Sequence, residues 1–174
     1  MLIALTGTPG VGKTKCAGIL RHRGFSVTDL NELAISHEFV AGRDEERDSH
    51  IIDIEALDGF IKKEYQHAEM TFEGHLSHLL SVDMAVILRC NPLVLQKRLA
   101  TKGWKESKIM ENIQAEILDV ITIEAHEHLE KVYEIDTTSK DPQAVADSFE
   151  ALFAGESVGE NIGWLEDFEY LLFQ

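Results

Sequence analysis

Short, largely apolar runs alternate along the chain with stretches of helical periodicity. The apolar runs predict strands at 2–5, 25–28, 70–72, 84–88 and 132–135. Apolar residues at helical spacing predict helices at 13–20, 30–36, 54–65, 92–101, 106–130 and 142–153. Because the strands alternate with helices, the pattern favours an α/β fold with a parallel sheet and helices on both of its faces.

Polar residues mark where several of these helices should begin. Helix-capping side chains precede four of them, at Asp29, Asp53, Asn91 and Asp141. Residues 40–50 are polar and lack apolar periodicity, so we predict a loop there. The segment after Gly155 is irregular, and its pattern does not assign it to an element. With no repeat and no low-complexity linker, we expect one domain over residues 1–174.

The charge is unevenly distributed along the chain. Residues 111–174 carry two basic and sixteen acidic side chains, a net charge of −14, within a total of −15. This argues against direct, sequence-specific binding of nucleic acid and would suit a basic protein partner. A solvated acidic helix face, or adaptation to a salty cytoplasm, would explain the charge equally well.

Cysteine content and hydropathy bear on the cellular compartment. Cys16 and Cys90 lack metal-ligand spacing, and we expect both to be reduced thiols in the core. No stretch approaches the length of an apolar membrane span, and the chain enters a predicted strand at once, without a signal-peptide pattern. We therefore expect a cytoplasmic protein that does not interact with a membrane.

Residues 7–14 carry the most specific motif of the chain. They read Gly-Thr-Pro-Gly-Val-Gly-Lys-Thr, a complete G-x-x-x-x-G-K-[ST] phosphate loop between a predicted strand and a predicted helix. Lysine would reach the β- and γ-phosphates of a nucleoside triphosphate, and threonine would offer its hydroxyl to Mg²⁺. The predicted nucleotide-binding residues are Gly7, Pro9, Gly10, Val11, Gly12, Lys13 and Thr14. ATP is favoured over GTP, because no Asn-Lys-x-Asp string has the spacing needed to read guanine.

Two polar residues follow the predicted strand at 70–72. Glu73 is the acidic side chain placed where a phosphate-loop enzyme holds Mg²⁺ or its waters. His75 would point to the same side if the strand continued, where it could orient a water or touch a phosphate. A solvated carboxylate and a structural histidine are the alternatives.

Two groups of cations could contact phosphates. The stretch 98–105 places Arg98 and Lys102 around a glycine, where they could cover the transferring phosphoryl group and also bind ATP. A basic helix end stabilised by the helix dipole is the alternative. Arg43 and Arg47 could clamp a monophosphate, or could simply pair with the carboxylates beside them.

Several of these stretches resemble a known family. The loop at 7–14 is similar to that of adenylate kinases, and the run from Val86 to Asp136, above all residues 98–118, resembles the adenylate kinase isoenzyme 6 family. The Glu-Gly-His-Leu-Ser-His stretch at 73–78 looks like the archaeal version of it. The resemblance covers residues 1–153.

The resemblance implies a phosphate-loop NTPase fold with a five-stranded parallel sheet. It also implies a monophosphate-binding arm at about 30–66, a lid at about 101–110 and an irregular tail at about 155–174. The implied activity is phosphoryl transfer from ATP, with Mg²⁺, to AMP or another nucleoside monophosphate, plus ATPase activity. The implied partners are a basic small-subunit ribosomal protein and the maturing small ribosomal subunit.

Carried over residue by residue, the resemblance gives the magnesium-organising acid to Glu73 and the histidine of the same motif to His75. The chain departs from the eukaryotic members at residues 31–35, which lack their arginine. The substrate arginine is then expected at Arg43 or Arg47. Lys102 replaces a lid arginine and loses its bidentate geometry.

Three functions remain open from sequence. One is a nucleoside monophosphate kinase, and the second is an ATP-gated ribosome-assembly factor whose ATPase activity matters in the cell. The third is an unrelated small-molecule kinase, for example of a hydroxy acid or a vitamin, which would share the phosphate loop but not the run at 98–118.

Overall fold

A computed structural model describes residues 1–45, 49–157 and 159–173. The strands in these ranges are β1 (Leu2–Thr6), β2 (Val27–Asp29), β3 (Val40–Asp44), β4 (Ser49–Ile52), β5 (Met70–Glu73), β6 (Met84–Arg89) and β7 (Val132–Asp136). The helices are α1 (Lys13–His22), α2 (Leu30–Ser36), α3 (Ile54–Glu64), α4 (Pro92–Ala100), α5 (Glu106–Ile117), α6 (Val120–His128), α7 (Pro142–Phe153) and α8 (Leu165–Phe168). Two short 3₁₀ helices lie at Ser77–Leu79 and Glu169–Phe173 in these ranges.

Five strands form a parallel sheet in the order β2-β5-β1-β6-β7. Strand β1 is at its centre and is buried throughout, since Ile3 and Leu5 pack into one apolar cluster while Leu2 and Ala4 pack into the other. The α/β fold with helices on both faces, expected from the alternating pattern, is confirmed. Because all five strands run the same way, their carboxyl ends meet at one edge, where ligands bind in such sheets.

The helix starts expected from capping residues are confirmed. The side chains of Asp29, Asp53 and Asp141 accept hydrogen bonds from backbone N–H groups three residues later, at 2.9, 3.0 and 2.9 Å. Asn91 accepts one from the N–H of Leu93 at 3.0 Å. These bonds satisfy donors that the first helical turn cannot pair internally.

The loop predicted at 40–50 is wrong. Strands β3 and β4 form an antiparallel hairpin there, with Arg43 opposite His50 and a register shift between Val40 and Gly42. Residues 46–48 lie outside the described part of the chain. The hairpin stands apart from the main sheet and buries neither face fully, so its sequence carries no apolar alternation to predict it.

The long helix predicted at 106–130 is also wrong. The chain forms α5 and α6 instead, separated at Asp119, which adopts a left-handed conformation with φ of 53°. The Asp119 carboxylate pairs with the buried guanidinium of Arg89. Apolar spacing runs through the break, so periodicity could not show it; a tertiary ion pair fixes the turn.

Most of the tail is ordered against the rest of the protein. Residue 160 bridges to Glu134 of β7, and Leu171 is buried in the core cluster beside α5. Cys16 and Cys90 are free and buried, as expected. In the described ranges, no helix has both the length and the apolar character that crossing a membrane requires.

Candidate active site

The phosphate loop joins β1 to α1 and depends on its glycines. Gly7 and Gly10 have φ values of 133° and 97°, in the region that favours glycine. A Cβ at Gly7 would lie 2.3 Å from the carbonyl oxygen of Leu88, and one at Gly10 would lie 2.8 Å from Cδ2 of Leu99. The loop is therefore packed closely against β6 and α4, with no room for side chains at these positions.

Lys13 is folded back onto its own loop. Its Nζ donates to the carbonyl oxygens of Gly7 at 2.7 Å and of Thr8 at 3.2 Å. Burial lowers the pKa of Lys13 to about 8, an effect that the nearby carboxylate of Glu73 opposes. Phosphate oxygens entering the loop would offer this buried cation better partners than neutral carbonyl groups do.

A cavity of about 1220 Å³ opens beside the loop. The predicted site residues that line it are Pro9, Gly10, Val11, Gly12, Lys13, Thr14, Glu73, His75, Arg98 and Lys102. Gly7 lies just behind them, where its carbonyl oxygen holds Lys13. The fold thus gathers residues from the loop, the end of β5, the end of α4 and the turn that follows it around one space.

Glu73 and Thr14 meet at the floor of the cavity. The hydroxyl of Thr14 donates to Oε1 of Glu73 at 3.4 Å. Among the described residues, Oε2 of Glu73 is a buried side-chain oxygen without a hydrogen-bond partner. An orphaned carboxylate oxygen beside a threonine hydroxyl is the kind of hard oxygen pair that Mg²⁺ prefers, so these two residues fit the metal expected with ATP.

Asp29 is a second acidic residue at this position, and the sequence analysis missed it. It ends β2, pairs in register with Glu73 of β5 and lines the cavity. Burial raises the pKa of Glu73, Lys13 lowers it, and Asp29 raises it again. The signal was present, because Asp29 directly follows the strand predicted at 25–28, but its helix-capping role accounted for it completely.

The two histidines after β5 differ in their surroundings. His75 lines the cavity with its side chain exposed there, and partial desolvation by the cavity walls, together with Lys13 and His78, lowers its pKa below the ordinary value. At neutral pH its ring is therefore uncharged. His78 is buried, with Nδ1 3.2 Å from the Thr6 hydroxyl and Nε2 2.9 Å from a Glu124 carboxylate oxygen. Its ring therefore ties the end of β1 to α6.

The side chain of Arg98 donates hydrogen bonds to the backbone of the phosphate loop. Its guanidinium donates to the carbonyl oxygen of Val11 at 3.4 Å and to that of Thr137 at 2.8 Å. It also lines the cavity. The structure thus connects Arg98 to the loop and to the turn after β7, while its contact with a phosphoryl group stays a prediction.

The segment predicted as a lid, at about 101–110, forms the turn between α4 and α5 and the first turn of α5. Two lysine ammonium groups lie near the Trp104 ring, with Lys102 Nζ at 5.0 Å and Lys108 Nζ at 4.5 Å from the ring centroid. All three residues line the cavity. Cation–π attraction holds the ammonium groups near the ring, and they add positive charge to the cavity wall.

Of the two predicted substrate arginines, the structure describes only Arg43. Arg43 is exposed on β3 and is not among the lining residues, whereas Asn31 and Ser49 of the same arm are. Arg47 lies outside the described residues. A role for either arginine in binding a monophosphate stays a prediction, and Arg43 could take it only if its strand approached the cavity.

A buried ion-pair network behind the loop was also missed. Arg89, at the end of β6, pairs with the carboxylates of Glu116, Asp119 and Glu134. Glu116 sits on the apolar face of α5, next to Ile113 and Ile117. A charged residue at a core position of a helix was the signal that could have marked it, because such residues are buried only when they are paired.

Comparison with known proteins agrees with this architecture. A family model described as "AAA domain" matches residues 3–119. Over 97% of the chain and 94% of the relative, the sequence is 46% identical to "Putative adenylate kinase" of Archaeoglobus fulgidus. It is 42% identical to the protein of the same name from Methanocaldococcus jannaschii, over 100% and 99% of the two chains.

Solved structures show the same fold at low sequence identity. The crystal structure of shikimate kinase from Bacteroides thetaiotaomicron superposes with a TM-score of 0.61 and 17% identity, over 88% of this chain and 98% of that one. The likeness supports the α/β phosphate-loop NTPase fold.

Proposed function

We propose that this chain, which belongs to the same family as these archaeal adenylate kinase relatives, is a nucleoside monophosphate kinase that converts ATP and AMP into two ADP. The observation that carries the proposal is the meeting of Lys13, Thr14 and Glu73 at a cavity of about 1220 Å³. A donor nucleotide and an acceptor monophosphate could share this space. The run at 98–118 and the archaeal relatives favour this function over an unrelated small-molecule kinase.

The reaction needs positioning and charge neutralisation more than covalent chemistry. An oxygen of the AMP phosphate forms a bond to the γ-phosphorus as the bond to the β–γ bridging oxygen breaks, which leaves ADP on both sides. Lys13 would turn from its carbonyl partners to the β- and γ-phosphates. The ammonium groups at the lid, with Arg98, would offset charge on the transferring group.

Thr14 and Glu73 would hold Mg²⁺ bound with ATP, and the ion would neutralise phosphate charge there. His75, uncharged at neutral pH, could hold a water or a phosphate oxygen by a hydrogen bond without adding charge. The exposed Arg43 would reach the acceptor only if the arm closed, and such a loosely determined acceptor site fits broad specificity for monophosphates.

The test is to follow every nucleotide in one reaction. Purified protein is incubated with ATP and Mg²⁺, with and without each nucleoside monophosphate, and ATP, AMP and the diphosphates are separated by chromatography. We expect two ADP for each AMP consumed, at a rate above that of hydrolysis alone. ATP hydrolysis that no monophosphate alters would overturn the kinase assignment.

A second candidate function is an ATPase that acts in maturation of the small ribosomal subunit. The net charge of −14 over residues 111–174 supports it, because a basic small-subunit ribosomal protein would find a complementary surface there. Exposed Tyr170 and Phe173 lie in the same acidic third. Stimulation of ATP hydrolysis by such a basic protein, lost when Lys13 is replaced, would support this role; a hydrolysis rate that the protein does not change would contradict it.

A further inference from the structure

We infer that Glu116 and Trp164 are positioning residues for the phosphate loop, so that the C-terminal tail helps to hold the loop in its ATP-binding geometry. In this subsection the C-terminal tail means residues 159–173. The inference rests on the proposed function, because it takes ATP to be the occupant of the loop. It gives the tail a part in the chemistry, although the sequence pattern alone assigned it none.

Glu116 receives four donors from three separate segments of the chain. Its Oε2 accepts the Thr8 hydroxyl of the phosphate loop at 2.5 Å. Its Oε1 accepts Arg89 Nε at 2.8 Å, the backbone N–H of Cys90 at 3.0 Å and the indole Nε1–H of Trp164 at 3.2 Å. Because one carboxylate bridges loop, sheet and tail, a change in any of these segments reaches the others through a single group.

Burial makes this bridge stiff. Glu116 and Arg89 are each 2% exposed, so water cannot replace a partner that moves away. Arg89 is held in turn by Asp119 and Glu134, which fix its guanidinium from two further sides. A satisfied buried network of this kind is rigid, and it holds Thr8 through the hydroxyl group that donates to Glu116.

Thr8 connects this network to Lys13. Its hydroxyl donates to Glu116, while its carbonyl oxygen accepts from Lys13 Nζ at 3.2 Å. When Lys13 turns to a phosphate, the peptide group of Thr8 loses that contact, and the hydroxyl bond to Glu116 keeps the residue in place. The loop therefore stays attached to Glu116 at Thr8, the residue whose carbonyl oxygen Lys13 leaves.

The tail reaches the network at two carboxylates. Besides the indole bond to Glu116, the backbone N–H of Ile162 donates to Oε2 of Glu134 at 3.2 Å. Farther along, Gln114 of α5 donates to the carbonyl oxygen of Leu172 at 3.3 Å, and Leu171 is buried. The tail is therefore anchored on both sides of Trp164, which leaves the indole little freedom to leave Glu116.

The first test compares Trp164→Phe with a matched control in the same segment. Trp164→Phe keeps an aromatic ring and removes the N–H donor, whereas Phe168→Leu disturbs the packing on the Trp164 ring, 6.1 Å between centroids, and leaves the donor in place. We expect KM for ATP to rise about three- to ten-fold in Trp164→Phe, with kcat changed less, because a hydrogen bond to a charged group is lost. Equal changes in KM in both variants would overturn the inference and leave only a packing role.

The second test measures coupling between loop and tail. Thr8→Val and Trp164→Phe remove donors from different oxygens of Glu116, the carboxylate to which both side chains bind. ATP affinity from titration calorimetry on both single variants and the double variant should be non-additive by three-fold or more. Effects on affinity that simply multiply would contradict a shared bridge.

Failure of the inference can be separated from failure of the proposed function. Calorimetry needs only ATP, so wild-type protein that binds ATP but forms no ADP from AMP would refute the kinase while the coupling is still measured. Wild-type protein that forms ADP from AMP, with Trp164→Phe no different from Phe168→Leu, would refute the inference alone. Absence of ATP binding by the wild type would refute both.

Discussion

Asp29 and Glu73 are register partners on the neighbouring strands β2 and β5, so two acidic side chains end their strands side by side at the cavity floor. Glu73 is 4% exposed, and its Oε2 has no partner among the described residues. Two carboxylates this close, with Lys13 as a nearby cation, create a local surplus of negative charge. A bound divalent cation would remove that surplus, and the metal prediction follows from it.

We expect Glu73→Gln to raise the Mg²⁺ concentration needed for half-maximal activity by about ten-fold or more, since it removes one anionic oxygen ligand while keeping the shape of the side chain. The measurement is the initial rate of ADP formation as a function of Mg²⁺ concentration at saturating ATP. Glu55→Gln, at an exposed position of α3, is the control and should leave the curve in place. An unchanged Mg²⁺ dependence in Glu73→Gln would assign the metal to other residues.

Lys13→Ala should lower ATP turnover by about a hundred-fold or more, because the loop loses the buried cation that would neutralise the β- and γ-phosphates. ADP formation from ATP and AMP gives the rate. Lys63→Ala removes the same charge from an exposed position of α3 and serves as the control. Turnover retained by Lys13→Ala would rule out the phosphate-loop assignment.

Asp58 should make stability depend on pH in the acidic range. Burial alone would raise its pKa, but hydrogen bonds from Lys62, at 2.8 Å, and from the backbone N–H and hydroxyl of Ser81, at 2.7 and 2.9 Å, lower it below its ordinary value. A lowered folded-state pKa stabilises the protein above the unfolded-state pKa of about 4, and this contribution is lost as pH falls through the folded-state value.

Asp58→Asn should therefore lower the free energy of unfolding by about 1 kcal/mol at pH 7, with the difference from wild type shrinking as the pH falls below about 4. Denaturant unfolding of both proteins across this range measures it. Glu64→Gln, at the exposed end of the same helix, should give a difference near zero at every pH. A difference for Asp58→Asn that grows toward acid would contradict the sign of the pKa shift.

Phe149 packs α7 against the segment after α1, with its ring 5.9 Å from that of Phe25 in an edge-on arrangement. Its side chain is fully buried. Phe149→Ala should lower the free energy of unfolding by about 3–5 kcal/mol through lost burial and a residual cavity. Phe173→Ala, at a position 87% exposed, should change it by no more than about 0.5 kcal/mol. Denaturant unfolding of both variants is the measurement. Similar losses of unfolding free energy in the two variants would contradict the placement of α7 in the core.

The sequence was most informative where local chemistry decides the structure. The capping side chains at Asp29, Asp53 and Asn91 marked helix starts that the fold keeps, since a cap acts within a few residues. The phosphate loop was recognisable because its glycines and Lys13 serve one backbone shape. Its neighbours Glu73 and His75 were placed by the rule that parallel strands end at one edge.

Long-range partners explain what the sequence could not show. The helix break at Asp119 depends on Arg89, thirty positions earlier, and no local pattern carries that information. Glu116 looked like one more acidic residue of α5 until the fold placed Thr8 and Trp164 against it. Neither β3 nor β4 contributes a fully buried residue to the apolar core, so the alternation that reveals buried strands is missing there.

The β-bridge between Glu160 and Glu134 also affects how readily copies of this protein associate through the edge of the sheet. Strand β7 ends the sheet, and an open strand edge is a template on which another chain can form hydrogen bonds. The backbone N–H of Glu160 already donates to the carbonyl oxygen of Glu134 at 3.0 Å, so the tail occupies part of that edge. A chain shortened before this point would expose the strand to edge-to-edge association, and its solubility would fall with it.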